Sequence, residues 1–296
     1  MADLRPMEFG EILDGALSLF RRHFGLFLKL SLVVMWLPIA LGVYWRVRFF
    51  GIEAAGPEQT AALLEGQVVS FMLWAVVWGL LYGAGMLVLT AGSIRIISDS
   101  YLGREPQFGD ALGFGVGKIV PLFLVGLGKS LLLVLVAMLC GVVIAVTAAA
   151  GRTLGPAVAV LGVLAESVGA IWLVLFVASG YMVTTPVVVL ETLSSSFDSF
   201  GRSWELTRGA KGRVFGLMFV GTLIASLLPQ IVLSAVGALV TEVLPALVLP
   251  WTVVAAALPI VLTPIVPCIL TLAYYDLRVR REGFDLQLLS EQLGAN

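Results

Sequence analysis

The chain has 296 residues, of which 59% are hydrophobic and 12% charged, and its formal net charge is -1. A mean hydropathy of +1.03 excludes an ordinary soluble domain. The near-neutral charge, with no basic cluster extending off the membrane, excludes a nucleic-acid-binding role and leaves the lipid bilayer as the first partner.

The chain opens on an amphipathic helix over about residues 7–23. Phe9, Ile12, Leu13, Ala16, Leu17, Phe20 and Phe24 recur at helical spacing, while Glu11, Asp14, Ser18, Arg21 and Arg22 line the opposite side. Its acids come first and its bases last, as the helix dipole favours, so the helix suits the headgroup layer. It leads into an apolar run over about 25–48, long enough to cross a hydrocarbon core of roughly 30 Å. An outer loop follows, with room for one helical stretch after Pro57.

A second span over about 68–97 returns to a cytoplasmic segment containing FGDALGFGVGK, a second interfacial helix over about 107–117. Its glycines, Gly109, Gly113, Gly115 and Gly117, each cost about 1 kcal/mol of helix propensity. Spans three and four cover about 119–150 and 156–190. A third interfacial helix follows over about 196–209, FDSFGRSWELTRG, opened by Ser195 with Asp198 as a loose capping box and closed by Gly209. Spans five and six cover about 213–241 and 243–275, leaving a cytoplasmic tail at 276–296.

The reading is therefore an all-α integral membrane protein with six transmembrane helices and cytoplasmic interfacial amphipathic helices, forming a single polytopic domain. Each even-numbered span ends near an acid, Asp99, Glu191 or Asp276, and each odd-numbered span is preceded by an amphipathic segment. This order predicts three units of interfacial helix plus hairpin, a parallel pseudo-repeat. The plainer alternative is that any multi-pass protein sets a short amphipathic helix before a span.

Orientation follows from the basic residues. Arg46, Arg48 and Arg152 fall on one side, Lys29 and Lys129 within spans, and every other Lys and Arg on the opposite side. That bias places both termini in the cytoplasm. No cleavable signal is expected, since acids stand where a secretory n-region would be basic. Arginine outnumbers lysine, which fits a GC-rich bacterial genome and hence a multi-pass protein of the bacterial plasma (inner) membrane. Cys140 and Cys268 lie in spans and read as small apolar residues.

Ionisable residues inside spans are the first candidates for a site. Lys29 is close enough to the headgroups to snorkel. Lys129 lies about 15 Å into its span, near the midplane, and is expected to face a protein interior or water-filled cavity, with Glu166 near the outer interface; the two pair only if the fourth span tilts or breaks, around Ser167–Gly169 or Ser179–Gly180. A second candidate is a broken helix at Pro259, Pro264 and Pro267, because interior prolines free backbone carbonyls that must be buried or line a cavity; packing kinks are the competing account. A third is a set of headgroup contacts, Arg21, Arg22, Arg202, Arg208, Lys211 and Arg213, residues that otherwise serve only to set topology. No nucleophile with a partnered base, zinc motif or phosphate loop is present, so no catalytic residue, metal or cofactor is assigned and the chain is read as a non-enzyme.

At RPMEFGEILDGALSLFRRHFG, FGRSWELTRG and YYDLRVRREGFDL the chain resembles the membrane domain attached to some bacterial glycerophosphoryl diester phosphodiesterases, and similar stand-alone membrane proteins. In the fused members hydrolysis belongs to a soluble barrel with paired histidines and acidic metal ligands. The resemblance implies the membrane part alone here, since His23 is the sole histidine. The expected role is a membrane-embedded scaffold or regulatory module associated with lipid or glycerophosphodiester metabolism, acting on an unknown protein partner. The alternative is a transporter of a small amphiphilic or lipid-derived solute.

Overall fold

The computed structural model describes residues 5–53 and 68–283, and the chain is an all-α membrane protein. Six helical stretches are long and apolar enough to cross a bilayer: Phe24–Val47, Val69–Tyr101, Ile119–Gly151, Ala157–Leu190, Lys211–Val243 and Pro245–Glu282. The outer-loop helix expected after Pro57, and the tail beyond Gly283, lie outside the described residues. The helices are α1 (Phe9–Arg22), α2 (Phe24–Glu53), α3 (Val68–Tyr101), α4 (Phe108–Gly117), α5 (Ile119–Leu154), α6 (Pro156–Gly180), α7 (Thr184–Leu190), α8 (Asp198–Thr207), α9 (Lys211–Thr222), α10 (Leu228–Val243), α11 (Val248–Leu262) and α12 (Ile265–Glu282). In this order α1, α4 and α8 each precede an odd-numbered span. Within each unit, the end that carries such a helix is called its basic side below.

Packing divides the described residues into two units. One holds Gly10–Ile119 with Phe219–Leu272; the other holds Val120–Met218 with 5–9 and 273–283.

In the first unit the apolar stripe of α1 meets protein. Ile12 and Ala16 are fully buried and Phe20 nearly so, an i, i+4, i+8 row whose last ring stacks on Phe27 at 5.6 Å. A Cβ on Gly15 would stand 3.2 Å from Leu272 Cδ1, so α1 seats against the last span. The corner between α1 and α2 is tied to α3 by His23 Nε2 and Ser100 Oγ, 2.8 Å apart. Burial first, and then the neighbouring Arg22 charge, lower the His23 pKa from its ordinary value of 6.5. Helix α4 lies close on α3: a Cβ on Gly115 would stand 2.7 Å from the Val88 carbonyl, and one on Gly92 3.0 Å from that of Ala111. The propensity cost of Gly115 therefore has a packing reason, whereas Gly109, Gly113 and Gly117 face open space.

Two spans of this unit depart from regular helix, each at a proline. In span five a π turn, Leu223–Leu227, joins α9 to α10. Pro229 has no N–H for the Ala225 carbonyl and its ring would clash there, and a wider turn relieves both. Span six is interrupted at Thr263–Pro264, between α11 and α12.

In the second unit α5 and α6 form a hairpin turned at Gly155, which has φ +99°. Small residues let the two helices touch near that turn: Gly151 lies against Ala159, and Gly162 against Thr147. Helix α8 packs on α6 and α7, and the buried residues of this unit include Val187, Val188, Leu206, Val214 and Tyr274.

Candidate functional site

The most elaborated polar region lies at the basic side of the second unit, and it begins with a break in the fourth span. Helix α6 stops at Gly180 and α7 starts at Thr184, with Pro186 unable to donate to the Met182 carbonyl. Carbonyls freed by such a break need donors. Helix α8 supplies them through Ser203 and Thr207, which with Ser199 form an inward row of small hydroxyl residues, all fully buried; the Ser199 hydroxyl donates to the Ser196 carbonyl. Ser203 Oγ donates to the Gly180 carbonyl at 2.8 Å. Thr207 Oγ1 stands 3.1 Å from the same oxygen and 2.8 Å from the Ser203 carbonyl, and its single proton serves one at a time. Within the turn, Thr184 Oγ1 donates to the Tyr181 carbonyl.

An aromatic layer closes over the break. Gly180 has no Cβ, and the Trp204 ring occupies the space one would fill. Tyr181 packs on Phe200 and Trp204 with centroids at 5.4 and 5.3 Å, and Phe197 and Phe200 lie against Gly128 of α5. The Lys211 ammonium sits 3.1 Å from the Trp204 ring centroid and 3.6 Å from that of Phe176, a cation–π contact worth about 0.5–2 kcal/mol. It bridges the chain across Gly209, whose φ of +79° ends α8 in the left-handed conformation that favours glycine.

Beside this layer runs an ion-pair network. Arg202 Nε donates to both Glu191 oxygens, at 3.2 and 3.0 Å, and its Nη2 pairs with Glu282 at 2.5 Å. Tyr274 donates its hydroxyl to Glu191 at 2.8 Å, and Arg278 pairs with Glu282 at 3.0 Å. Burial pulls the Arg202 pKa down, but Glu191 and Glu282 together hold it above its ordinary value. A second cluster centres on Asp276, 2% exposed, which meets Arg280 at 3.0 Å and Arg213 at 3.3 Å. Asp276 also accepts the Met7 amide at 2.8 Å, while Arg280 and Arg213 both donate to the Met7 carbonyl. One residue of the N-terminal segment, Met7, is thus held at both its amide and its carbonyl by side chains from α9 and α12.

The acids that end the even-numbered spans share a chemistry. Asp99 pairs with Arg95 at 2.9 Å and lies 4.0 Å from Arg104, Glu191 pairs with Arg202, and Asp276 with Arg213 and Arg280.

Of the residues singled out from the sequence, Arg202, Lys211 and Arg213 are engaged inside the protein. Arg21, Arg22 and Arg208 are exposed; Arg21 Nε donates to its own helix at the Leu17 carbonyl, and no ion pair holds the other two among the described residues. Lys129 and Glu166 are not brought together. Glu166 accepts the Thr147 hydroxyl at 2.6 Å, and Thr147 is eighteen residues beyond Lys129 along α5, about 27 Å of helix. Lys129 is half-buried, in register with the buried Leu122 and Val125, and without an ion pair among the described residues. At the prolines, Thr263 N–H reaches the Pro259 and Ile260 carbonyls, Thr263 Oγ1 that of Pro259 at 3.0 Å, and Thr271 Oγ1 that of Pro267 at 2.7 Å. With Ile260, Ile265, Cys268 and Ile269 buried around it, this break is locally satisfied and packed.

No three His, Cys, Asp or Glu residues converge as a metal set among the described residues. Sequence reading missed the hydroxyl row of α8. Its signal was the Ser-x3-Ser-x3-Thr spacing, which an apolar-moment argument treats as solvent-facing. No family model matches the chain, and no curated protein or solved structure does either.

Proposed function

We propose that the chain is a non-catalytic module of a bacterial plasma membrane, with both termini cytoplasmic, that holds or regulates a protein partner acting on lipid-derived phosphodiesters. One observation carries the reading. The polar groups of the basic side are spent on locking the N-terminal segment, α8, α9 and the end of α12 to each other, through Asp276, Arg213 and the Glu191–Arg202–Glu282 chain. A preorganised surface of this kind suits docking, because little order remains to be imposed when a partner binds. The stretches that resemble phosphodiesterase membrane domains supply Arg202, Trp204, Tyr274, Asp276, Arg278 and Arg280. On this reading they are structural signatures of the platform and bring no hydrolytic chemistry.

The test is co-purification in mild detergent with a glycerophosphodiester phosphodiesterase of the same cells, identified by mass spectrometry. Recovery is expected with the wild type and is lost in an Arg22→Glu, Arg208→Glu double variant that keeps its helicity. Unchanged recovery of the same enzyme contradicts the reading. Transport of a small amphiphile is the second reading, favoured by half-buried Lys129, and it predicts solute flux in reconstituted vesicles that disappears in Lys129→Ala.

A further inference from the structure

An apolar groove of about 310 Å³ runs along the first unit between α2, α3 and α4, at the lower end of the size range of ligand sites. Its walls include Val33, Trp36 and Leu37 of α2 and Val116 of α4, and its floor is Ala84 and Gly85 of α3. The floor is low because a Cβ on Gly85 would stand 2.6 Å from Met35 Sδ; small residues there bring α2 and α3 together and leave a trough between larger neighbours. The wall residues Val33 and Trp36 are 50% and 61% exposed, as is Leu32 beside them at 49%. At membrane depth such a surface contacts hydrocarbon. The groove starts at the level of amphipathic α4 and extends along α3 from Val88 to Leu81, about 10 Å into the apolar layer.

Charge marks one end of it. Lys29 is exposed and stands one helical turn before Val33 and two before Trp36, on the same face of α2. Helical side chains lean toward the helix N-terminus, which carries the Lys29 ammonium toward the basic side, above the groove. No ion pair holds Lys29 among the described residues. Across the groove mouth, Lys118 follows Val116 by two residues and lies with Arg95 around the Phe114 ring, at 5.6 and 5.4 Å from its centroid.

We propose that this groove binds one acyl chain of an anionic phospholipid whose phosphate pairs with Lys29. The apolar trough at acyl depth and the cation at headgroup depth are two halves of one complementary site, with the lipid's negative charge supplying the partner Lys29 lacks within its own unit. The site is independent of any protein partner.

Trp36 is the reporter. The full chain is reconstituted in phosphatidylcholine vesicles containing small fractions of dibrominated phosphatidylglycerol or dibrominated phosphatidylcholine, and Trp36 quenching is taken as the difference between wild type and Trp36→Phe. Brominated phosphatidylglycerol is expected to quench at about fivefold lower mole fraction. Lys29→Ala should bring it to the phosphatidylcholine level, Lys29→Arg should keep the preference, and Ala84→Phe should abolish it by filling the trough, with helicity unchanged in all three. Equal quenching by the two lipids in the wild type, or a preference surviving Lys29→Ala, overturns the proposal. So does displacement by millimolar inorganic phosphate, which would make this a phosphate site and not a lipid site.

Discussion

Asp276 concentrates more of the account than any other residue. A carboxylate 2% exposed is surrounded by Arg213, Arg280 and the Met7 amide, and removing one side of such a cluster strands the other. Asp276→Asn is expected to destabilise the protein by about 3–5 kcal/mol, read in detergent denaturation, and to release residues 5–9 to faster hydrogen exchange. A loss below about 1 kcal/mol, the range of exposed pairs, would show the cluster to be superficial. At the span break, Ser203→Ala leaves the Gly180 carbonyl short of a donor at a cost of about 1–3 kcal/mol. Gly180→Ala drives a methyl into the Trp204 ring and should cost a similar amount; the two effects should fall short of additivity, because both act on the one contact between Gly180 and α8.

His23 gives a pH dependence with a definite sign. Its folded pKa is depressed below the ordinary 6.5, so the unfolded chain takes up the proton first as pH falls. Stability is then whole above about pH 6.5 and declines on acidification through the lower folded pKa. His23→Gln should flatten that decline below about pH 6.5, measured as melting temperature against pH. An unaltered slope would place the titrating group elsewhere. Asp198, depressed by the Ser194 hydroxyl and then the Ser195 amide, acts in the same direction but below its ordinary value of 3.8.

At the scale of elements, the spans were legible because roughly 20 apolar residues in a row have few uses other than crossing lipid. The amphipathic helices were legible from their period, and Ser195 with Asp198 from its spacing: the Ser195 amide donates to Asp198 Oδ2 at 2.9 Å. What the apolar side of each helix touches was not legible. The row Ile12, Ala16 and Phe20 reads equally well against lipid or protein, and only tertiary contact decides. Helix α8 was harder still, since Ser199, Ser203 and Thr207 look like a wet face until it is known that Ser203 and Thr207 serve the Gly180 carbonyl at the break. The break itself was signalled by Ser179–Gly180, although the turn falls at residues 181–183, where Pro186 withdraws a donor. Pro229 is plain in the sequence, but whether a proline kinks a helix, ends it or widens it to a π turn depends on the neighbours that must accept the change. Lys129 and Glu166 could be assigned only by depth along their helices, and Thr147, the actual partner of Glu166, is one of many hydroxyls a sequence offers.

For the whole molecule, the acids closing the even-numbered spans and the amphipathic helices opening the odd-numbered ones give the chain a recurring grammar, with arginines answering Asp99, Glu191 and Asp276 in turn. That grammar requires α1, α4 and α8 to share one side of the membrane. Gly10, Gly113 and Gly201 sit one on each of these helices, exposed and with open space where a Cβ would go, so cysteine is tolerated at all three. In intact cells, with Cys140 and Cys268 replaced, a membrane-impermeant maleimide should leave all three positions unlabelled and react with Glu242→Cys at the far end of α10; after permeabilisation all four should react. Labelling of Gly113→Cys or Gly201→Cys from outside intact cells would contradict the parallel three-unit topology on which the account rests.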